Sequence, residues 1–176
     1  MGGERSGSDD EVDLLIDAWS RRLPDVDLTP LDIMSRLRRV ALGLSRLRVG
    51  AFASAGLATW EFDVLAALRR AESPHELSPA LLIERTAIGS AAMTNRIEKL
   101  LARGMIERRP NPSDGRGILV RLTPEGTEAV DLAMTELVRR EDAELRSIGA
   151  ADRATLIRIL RLLLDEPPPR LSGGRP

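Results

Sequence analysis

The sequence predicts a mainly α-helical fold in which one helix leads directly into a two-stranded β-hairpin. Within residues 91–104, four apolar side chains recur at the spacing of one buried helix face, and Gly104 stands where a left-handed cap can end the helix. These side chains are Met93, Ile97, Leu100 and Leu101. Residues 106–109 and 118–122 have the pattern of short strands, and the segment 110–117 between them is rich in residues that favour turns. A helix followed by such a hairpin is typical of a winged helix-turn-helix.

The composition agrees with a helical protein whose core is aliphatic. Of the 176 residues, 43% are apolar but only 2% are aromatic, and tyrosine is absent, which favours helices over sheets. Cysteine is also absent, which excludes disulfides, thiolate metal sites and cysteine-based oxidation sensing. The single histidine, His75, lies in a polar loop where we expect it to be solvated, so neither a zinc site nor any other cofactor is predicted.

The charges are distributed unevenly, although the net charge is only -1. Residues 1–30 hold eight Asp or Glu against three Arg, whereas residues 86–122 hold seven Lys or Arg against three acids. Basic charge is therefore concentrated on the predicted helix and hairpin, a distribution that indicates nucleic-acid binding. The sequence has no signal-peptide pattern and no apolar run of the roughly 20 residues that span a bilayer. We therefore expect a cytoplasmic protein that does not contact a membrane.

Four more helices are predicted before this helix and two after the hairpin. Thr29-Pro30 and Ser78-Pro79 are typical helix starts, because Ser and Thr can cap and Pro suits the first turn. The predicted helices cover residues 10–22, 29–52, 57–71, 80–85, 123–147 and 151–165. The chain then divides into a disordered N-terminus (1–9), N-terminal helices (10–56), a winged helix-turn-helix (57–122), C-terminal helices (123–165) and a disordered tail (166–176).

Two of the predicted helices have more apolar surface than one chain can cover. The stripe along residues 29–52 and the face of residues 151–165 are each too wide for a single protomer. We therefore expect the N- and C-terminal helices to form the intertwined dimerisation region of a homodimer. Its two-fold axis would present two copies of the helix at residues 91–104 to one palindromic DNA site, with half-sites about one helical turn apart.

The face opposite the apolar one is small and polar, so it can approach a major groove closely. It carries Ser90, Ala91, Thr94, Asn95, Glu98 and Lys99. The hairpin tip, Asp114-Gly115-Arg116, can be a plain turn with a solvated arginine. Because the hairpin follows a helix that can enter a major groove, Arg116 also has the reach and the fixed charge to enter a minor groove. Asp114 would then orient its guanidinium.

Arg96 does not fit the helical pattern, because it shares a face with Met93 and Leu100, where an apolar residue is expected. A charge at such a position needs a partner. Asp63 on the preceding helix is the candidate, since small residues beside it leave space for a carboxylate. Arg108 has the strand parity of Ile106, so we expect it to point partly inward. These charges can form either a structural ion-pair cluster or a ligand site.

Six motifs, in this order and spacing, resemble the MarR family of bacterial regulators over residues 57–165. They are Leu77-Ser78-Pro79, Ala92-Met93-Thr94-Asn95-Arg96-Ile97-Glu98-Lys99-Leu100, Arg103-Gly104, Glu107-Arg108-Arg109, Asp114-Gly115-Arg116-Gly117 and Leu122-Thr123-Pro124-Glu125-Gly126. The resemblance implies a DNA-binding dimer with Arg116 in the minor groove. It also implies that Asn95 reads adenine. The remaining residues at the major groove or its phosphates would be Ser90, Ala91, Thr94 and Lys99.

Four residues resemble the effector site of the urate-responsive branch of the MarR family. Trp19, in an acidic extra N-terminal helix, and Asp63, Arg96 and Arg108 match that branch's tryptophan, aspartate and two arginines in type and order. An indole face can stack on a flat purine, and arginines offer planar forks to an oxyanion. The resemblance implies urate or another purine as effector, or a tricarboxylate such as citrate or aconitate. Alternatively, Trp19 is a packing residue and there is no effector.

The sequence therefore predicts a homodimeric DNA-binding regulator, a repressor that loses operator affinity when an anion displaces Arg96 from Asp63. An enzyme is the rival class, but the chain has no nucleophile elbow, phosphate loop or metal-ligand cluster. The third class is a DNA-binding protein without an effector. Release of DNA by a ligand distinguishes it from the first.

Overall fold

The computed structural model describes the backbone of residues 10–112 and 114–165 and their side chains except those of residues 114–116. The disorder predicted for residues 1–9 and 166–176 lies outside these residues. The chain divides into two compact units, of which the first ends at Val138 and the second begins at Arg139. The helices are α1 (Glu11–Ser20), α2 (Thr29–Ser54), α3 (Thr59–Arg69), α4 (Pro79–Thr86), α5 (Ser90–Ala102), α6 (Pro124–Glu144) and α7 (Ala150–Asp165). The strands are β1 (Glu76–Leu77), β2 (Ile106–Asn111) and β3 (Asp114–Leu122).

The core of the first unit surrounds α3, which is buried along most of its length. Apolar side chains of α2, α4, α5, β3 and α6 belong to the same buried cluster. Its largest fully buried members include Phe52, Leu65, Leu68, Leu82, Met93 and Leu100. Burying one such side chain contributes about 1.5–3 kcal/mol relative to leaving it in water. The aliphatic core predicted from the composition is confirmed.

Ion pairs hold α1 on α2. Asp10 caps α1 by accepting hydrogen bonds from the backbone N–H groups of Val12 and Asp13 at 2.7 and 3.0 Å. Arg36 of α2 lies 3.3 Å from Asp10 and 2.8 Å from Asp13. Val12 is the single buried residue of this helix. Partly exposed ion pairs and one buried apolar side chain therefore join these two helices.

The sheet is antiparallel with the strand order β1-β3-β2. The sequence pattern does not predict β1, which pairs Glu76 with Arg121 and Leu77 with Val120. The hairpin strands are longer than predicted and take up most of segment 110–117. The ladder tolerates the proline there because the register shifts between Pro110 and the following residue.

His75 is half-buried, which corrects the prediction that it is solvated. Its Nε2 lies 3.0 Å from the Arg69 guanidinium and its Nδ1 lies 2.8 Å from the backbone oxygen of Ala71. Because a guanidinium only donates, Nε2 must accept and Nδ1 must carry the proton. Arg69 also donates to both carboxylate oxygens of Asp131 at 2.9 and 3.1 Å, and these hydrogen bonds and the charge of Asp131 raise the pKa of Arg69. These hydrogen bonds therefore join α3, α6 and the loop that precedes β1.

The start of α6 lies against the end of α5. The Thr123 hydroxyl donates to the backbone oxygen of Gly104 at 2.8 Å and accepts from the backbone N–H of Gly126 at 3.1 Å. Gly104 has a φ of +68°, so the predicted left-handed cap is confirmed. A Cβ on Gly126 would lie 2.0 Å from the backbone oxygen of Met105. This close approach explains why the motif that follows the hairpin ends in glycine.

Two helices expose broad apolar faces, each within its own unit. The exposed side chains of α2 are Leu31, Ile33, Met34, Leu37, Val40, Leu42, Leu44 and Val49. No residue of α7 is buried, and its exposed side chains include Leu156, Ile157, Ile159, Leu162, Leu163 and Leu164. Among the described residues, no single helix is long and apolar enough to cross a membrane; α2 and α3 meet that criterion only together, bent by 78°.

Candidate nucleic-acid interface

α4 and α5 form a helix-turn-helix, in which α5 is the second helix. α4 begins with Ser78, whose hydroxyl accepts a hydrogen bond from the backbone N–H of Leu81 at 3.3 Å, and with Pro79 in its first turn. It ends at Thr86, and the next residue, Ala87, caps the helix with a φ of +53°. α5 follows after a short turn, starting at Ser90. The second helix of this motif is the one that enters a major groove.

α5 turns an apolar face to the core and a small, polar face to solvent. Met93, Ile97 and Leu100 are at most 2% exposed, as predicted, and Leu101 is partly buried and packs against the same core. The five predicted major-groove residues are all exposed: Ser90, Ala91, Thr94, Asn95 and Lys99. The Thr94 hydroxyl donates to the backbone oxygen of Ser90 at 3.1 Å, so towards a further partner it can only accept. The front of α5 therefore offers an amide, a hydroxyl acceptor and little steric bulk.

Arg96 lies over the Trp60 ring of α3, with 5.7 Å between its Cζ and the ring centroid. The Lys99 amine lies 5.9 Å from the same centroid. A cation over an indole contributes about 0.5–1 kcal/mol at an exposed site. Asp63 instead has Arg48 as its ion partner, at 3.9 Å. The predicted pairing of Arg96 with Asp63 is therefore corrected, because the indole one turn earlier on α3 takes the guanidinium.

The other two predicted effector residues also have separate surroundings. Arg108 is exposed and lies 2.5 Å from Glu98 of α5, so the prediction that it points partly inward is wrong. The reason is that β2 leaves the core after Ile106, and both faces of the strand are exposed beyond it. Trp19 lies near the end of α1 and is 43% exposed.

A buried carboxylate that sequence reasoning missed fixes the end of α5. Glu61 is 5% exposed and lies 2.6 Å from Arg103, which follows directly after α5. Arg103 also donates to the backbone oxygen of Gly56 at 3.0 Å, and Glu61 accepts from the backbone N–H of Ala58 at 2.8 Å. The available signal was the position of Glu61, three residues after the cap of α3. Arg103 lies two helical turns beyond Arg96, and the sequence pattern did not single it out.

The hairpin tip also belongs to this candidate surface, and its location is given by the backbone. Asp114 and Arg116 belong to β3, and their side chains lie outside the described ones. The minor-groove role of Arg116, and the support from Asp114, remain predictions. An exposed second helix followed by an antiparallel hairpin defines the class of winged-helix DNA-binding proteins.

Comparison with known proteins gives the family. The MarR family model matches residues 55–117. The chain is 33% identical over 105 residues to the multiple antibiotic resistance protein MarR of Salmonella typhimurium, covering 59% of this chain and 71% of that protein. It is 29% identical over 150 residues to the HTH-type transcriptional regulator PecS of Dickeya dadantii, covering 85% of this chain and 90% of PecS. The chain belongs to the MarR family and is a DNA-binding transcriptional regulator.

The fold agrees with solved structures of this family. The structure of a mutant of Escherichia coli MarR complexed with operator DNA is similar with a TM-score of 0.62 and 26% identity, over 79% of this chain and 99% of that one. The predicted winged-helix class is therefore confirmed.

Proposed function

We propose that this protein is a repressor that binds a palindromic operator as a homodimer and releases it when a small anion binds. The exposed polar front of α5 carries the DNA-binding part of this proposal. The concentration of basic residues between 86 and 122 supports it, because basic side chains supply most of the affinity for phosphates. A similar E. coli protein has been solved in complex with operator DNA, which supports operator binding as the function.

The homodimer is proposed from the apolar faces of α2 and α7. Large exposed apolar patches on a single chain mark interaction surfaces. A second copy of this chain covers both faces symmetrically, and it also supplies the second copy of α5 that a palindrome needs.

The effector is proposed to be a small anion: urate or another purine, with citrate or aconitate as the alternative. Trp19, Asp63, Arg96 and Arg108 are the ligand-site candidates from the sequence. The long Arg48 to Asp63 contact supports an anion site near Asp63, because a 3.9 Å ion pair with both side chains about 40% exposed is weak and open to competition. A regulator without an effector, in which these charges are only structural, is the second candidate.

Gel-shift binding to the DNA that flanks the protein's own gene tests this proposal at fixed salt, with urate, xanthine and citrate titrated in. We expect specific binding by a species with the mass of a dimer in sedimentation, and release by one of the anions. Specific binding that no anion disturbs supports the second candidate. Absence of specific binding contradicts the proposal.

Asn95→Ala and Arg116→Ala should each weaken specific binding by about 1–3 kcal/mol. Asn95 loses its hydrogen bonds to a base edge, and Arg116 loses its position in the minor groove. Titration of the operator and of a scrambled duplex measures the effect, which should be confined to the operator for Asn95→Ala. Ser147→Ala removes an exposed polar side chain far along the sequence and serves as the control. Unchanged operator affinity in Asn95→Ala would remove α5 from the interface.

We expect no catalytic activity and no cofactor, because the relatives named above are regulators of transcription. A cytoplasmic location goes with the proposal, since operator DNA is the partner.

A further inference from the structure

A pocket of about 280 Å³ lies between α2, α3 and α4. Four charged side chains line it: Arg48, Asp63, Arg70 and Arg85. Three different helices or helix ends supply these side chains. The pocket contains one of the predicted effector residues, Asp63, and neither of the predicted arginines.

The positive charges of this pocket are not balanced. Three arginines and one aspartate give the lining a net charge of +2. In the part of the chain that the structure describes, Arg70 and Arg85 have no carboxylate as an ion partner. A guanidinium stays protonated at any physiological pH, so an anion bound among these groups reduces their mutual repulsion. A concave site with one sign of charge also raises the local concentration of the opposite ion.

Arg48 is held in place without Asp63. Its Cζ lies 5.1 Å from the Phe52 ring centroid and 6.0 Å from that of Phe62. The two rings are stacked at 3.9 Å between centroids, so they form one rigid platform. Its contact with Asp63, by contrast, is long and half-exposed. An incoming anion can therefore replace Asp63 beside a guanidinium that is already positioned.

We propose that this pocket binds a compact anion with at least two negative charges, and that it is the effector site of the regulator. Of the two effector classes proposed above, this charge favours the polycarboxylate over the purine, because urate carries a single negative charge. The anion takes the place of Asp63 beside Arg48 and is also bound by Arg70 and Arg85. A polycarboxylate and a phosphate share this chemistry. Arg96 and Arg108 act elsewhere, because the indole of Trp60 and the carboxylate of Glu98 already occupy them. The regulatory part of this inference rests on the proposed function.

The route from this pocket to DNA is short. Arg85 and Thr86 are the last residues of α4, and α5 begins at Ser90. The Thr86 hydroxyl donates to the backbone oxygen of Leu82 at 2.6 Å, which fixes this end of α4. An anion that draws Arg85 towards Arg48 therefore shifts the turn that positions α5. Anion affinity and DNA affinity are then coupled reciprocally.

Calorimetric titration of the full chain with citrate, inorganic phosphate and acetate, at constant ionic strength, tests the pocket. We expect citrate or phosphate to bind at least tenfold more tightly than acetate. Whichever of citrate and phosphate binds more tightly shows whether the pocket takes a polycarboxylate or a phosphate. Arg70→Ala and Arg85→Ala should each weaken binding at least tenfold. Arg46→Ala removes an equal charge from the same helix as Arg48, outside the lining, and should leave binding unchanged.

Asp63→Asn should have the opposite effect on anion affinity and tighten binding severalfold, because the competing carboxylate is gone. A misfolded variant cannot produce this gain. Arg96→Ala and Arg108→Ala should bind the anion normally. The inference is overturned if those two variants lose binding while Arg70→Ala and Arg85→Ala keep it, or if Asp63→Asn weakens it.

Two further outcomes overturn the pocket while leaving DNA binding intact. In the first, none of the anions binds although the protein still shifts its operator. In the second, Arg85→Ala lowers the salt dependence of DNA binding and no anion binds, which would make the lining a contact for DNA phosphates.

Discussion

Gly126→Ala should destabilise the protein by about 3 kcal/mol or more, at the upper end of what overpacking costs. The new Cβ would lie 2.0 Å from the Met105 backbone oxygen and 2.9 Å from its carbonyl carbon. These are backbone atoms, which cannot rotate away as a side chain does. α6 must therefore move away from the end of α5, and the hydrogen bonds of Thr123 to Gly104 and Gly126 are strained. Urea unfolding followed by circular dichroism measures the loss.

Gly43→Ala is the matched control for this substitution. Gly43 lies within α2, and a Cβ there meets nothing within 4 Å in the single chain. Alanine in a helix interior is favoured over glycine by about 0.5–1 kcal/mol. We expect Gly43→Ala to be neutral or stabilising. Equal stability of Gly126→Ala and the wild-type protein would contradict the close approach of α6.

Arg103→Ala should cost about 2–3 kcal/mol, less than the 3–5 kcal/mol typical of a fully buried pair because Arg103 is half-exposed. The substitution leaves Glu61 charged in a position where its side chain is 6% exposed. It also removes the hydrogen bond to the Gly56 backbone oxygen. Because Arg103 stands at the end of α5, its loss should loosen this helix on α3. Thermal unfolding and operator affinity measured on the same samples report the two effects.

Arg109→Ala provides the comparison, since Arg109 lies 3.6 Å from Glu107 and both side chains are about half-exposed. A surface pair of this kind contributes about 0–1 kcal/mol. The double variant Glu61→Gln with Arg103→Ala should recover part of the loss, because no unpaired charge stays buried. If Arg103→Ala and Arg109→Ala cost the same, Glu61 is hydrated and the buried ion pair is not a significant source of stability.

Periodicity predicted the helices and the hairpin because their signals are local. The apolar spacing of Met93, Ile97 and Leu100 fixed which face of α5 is buried, and Gly104 fixed where the helix ends. β1 could not be predicted, because Glu76 and Leu77 become a strand only by pairing with β3. The hairpin turn was placed too wide, since proline and glycine favour turns locally while the ladder continues through them.

The partners of charged side chains could not be predicted in the same way. Helical spacing identified Arg96 as the residue that needs an acidic partner, but Arg103 is the residue that has a buried one. Only the position of Trp60 on α3 decides that Arg96 takes an indole and Arg103 takes the carboxylate. The arginine pocket was beyond sequence reasoning for a similar reason. Arg48, Arg70 and Arg85 belong to three elements, and no spacing along the chain brings them together.

The fluorescence of Trp60 reports the position of α5 relative to α3. The chain has two tryptophans and no tyrosine, so its intrinsic fluorescence comes from Trp60 on α3 and Trp19 on α1. Positive charges close to an indole alter its emission, and both charges near Trp60 come from α5. In a Trp19→Phe background, one emission band therefore reports how far α5 stands from α3. Movement of α5 becomes visible in an unlabelled sample, before any operator is added.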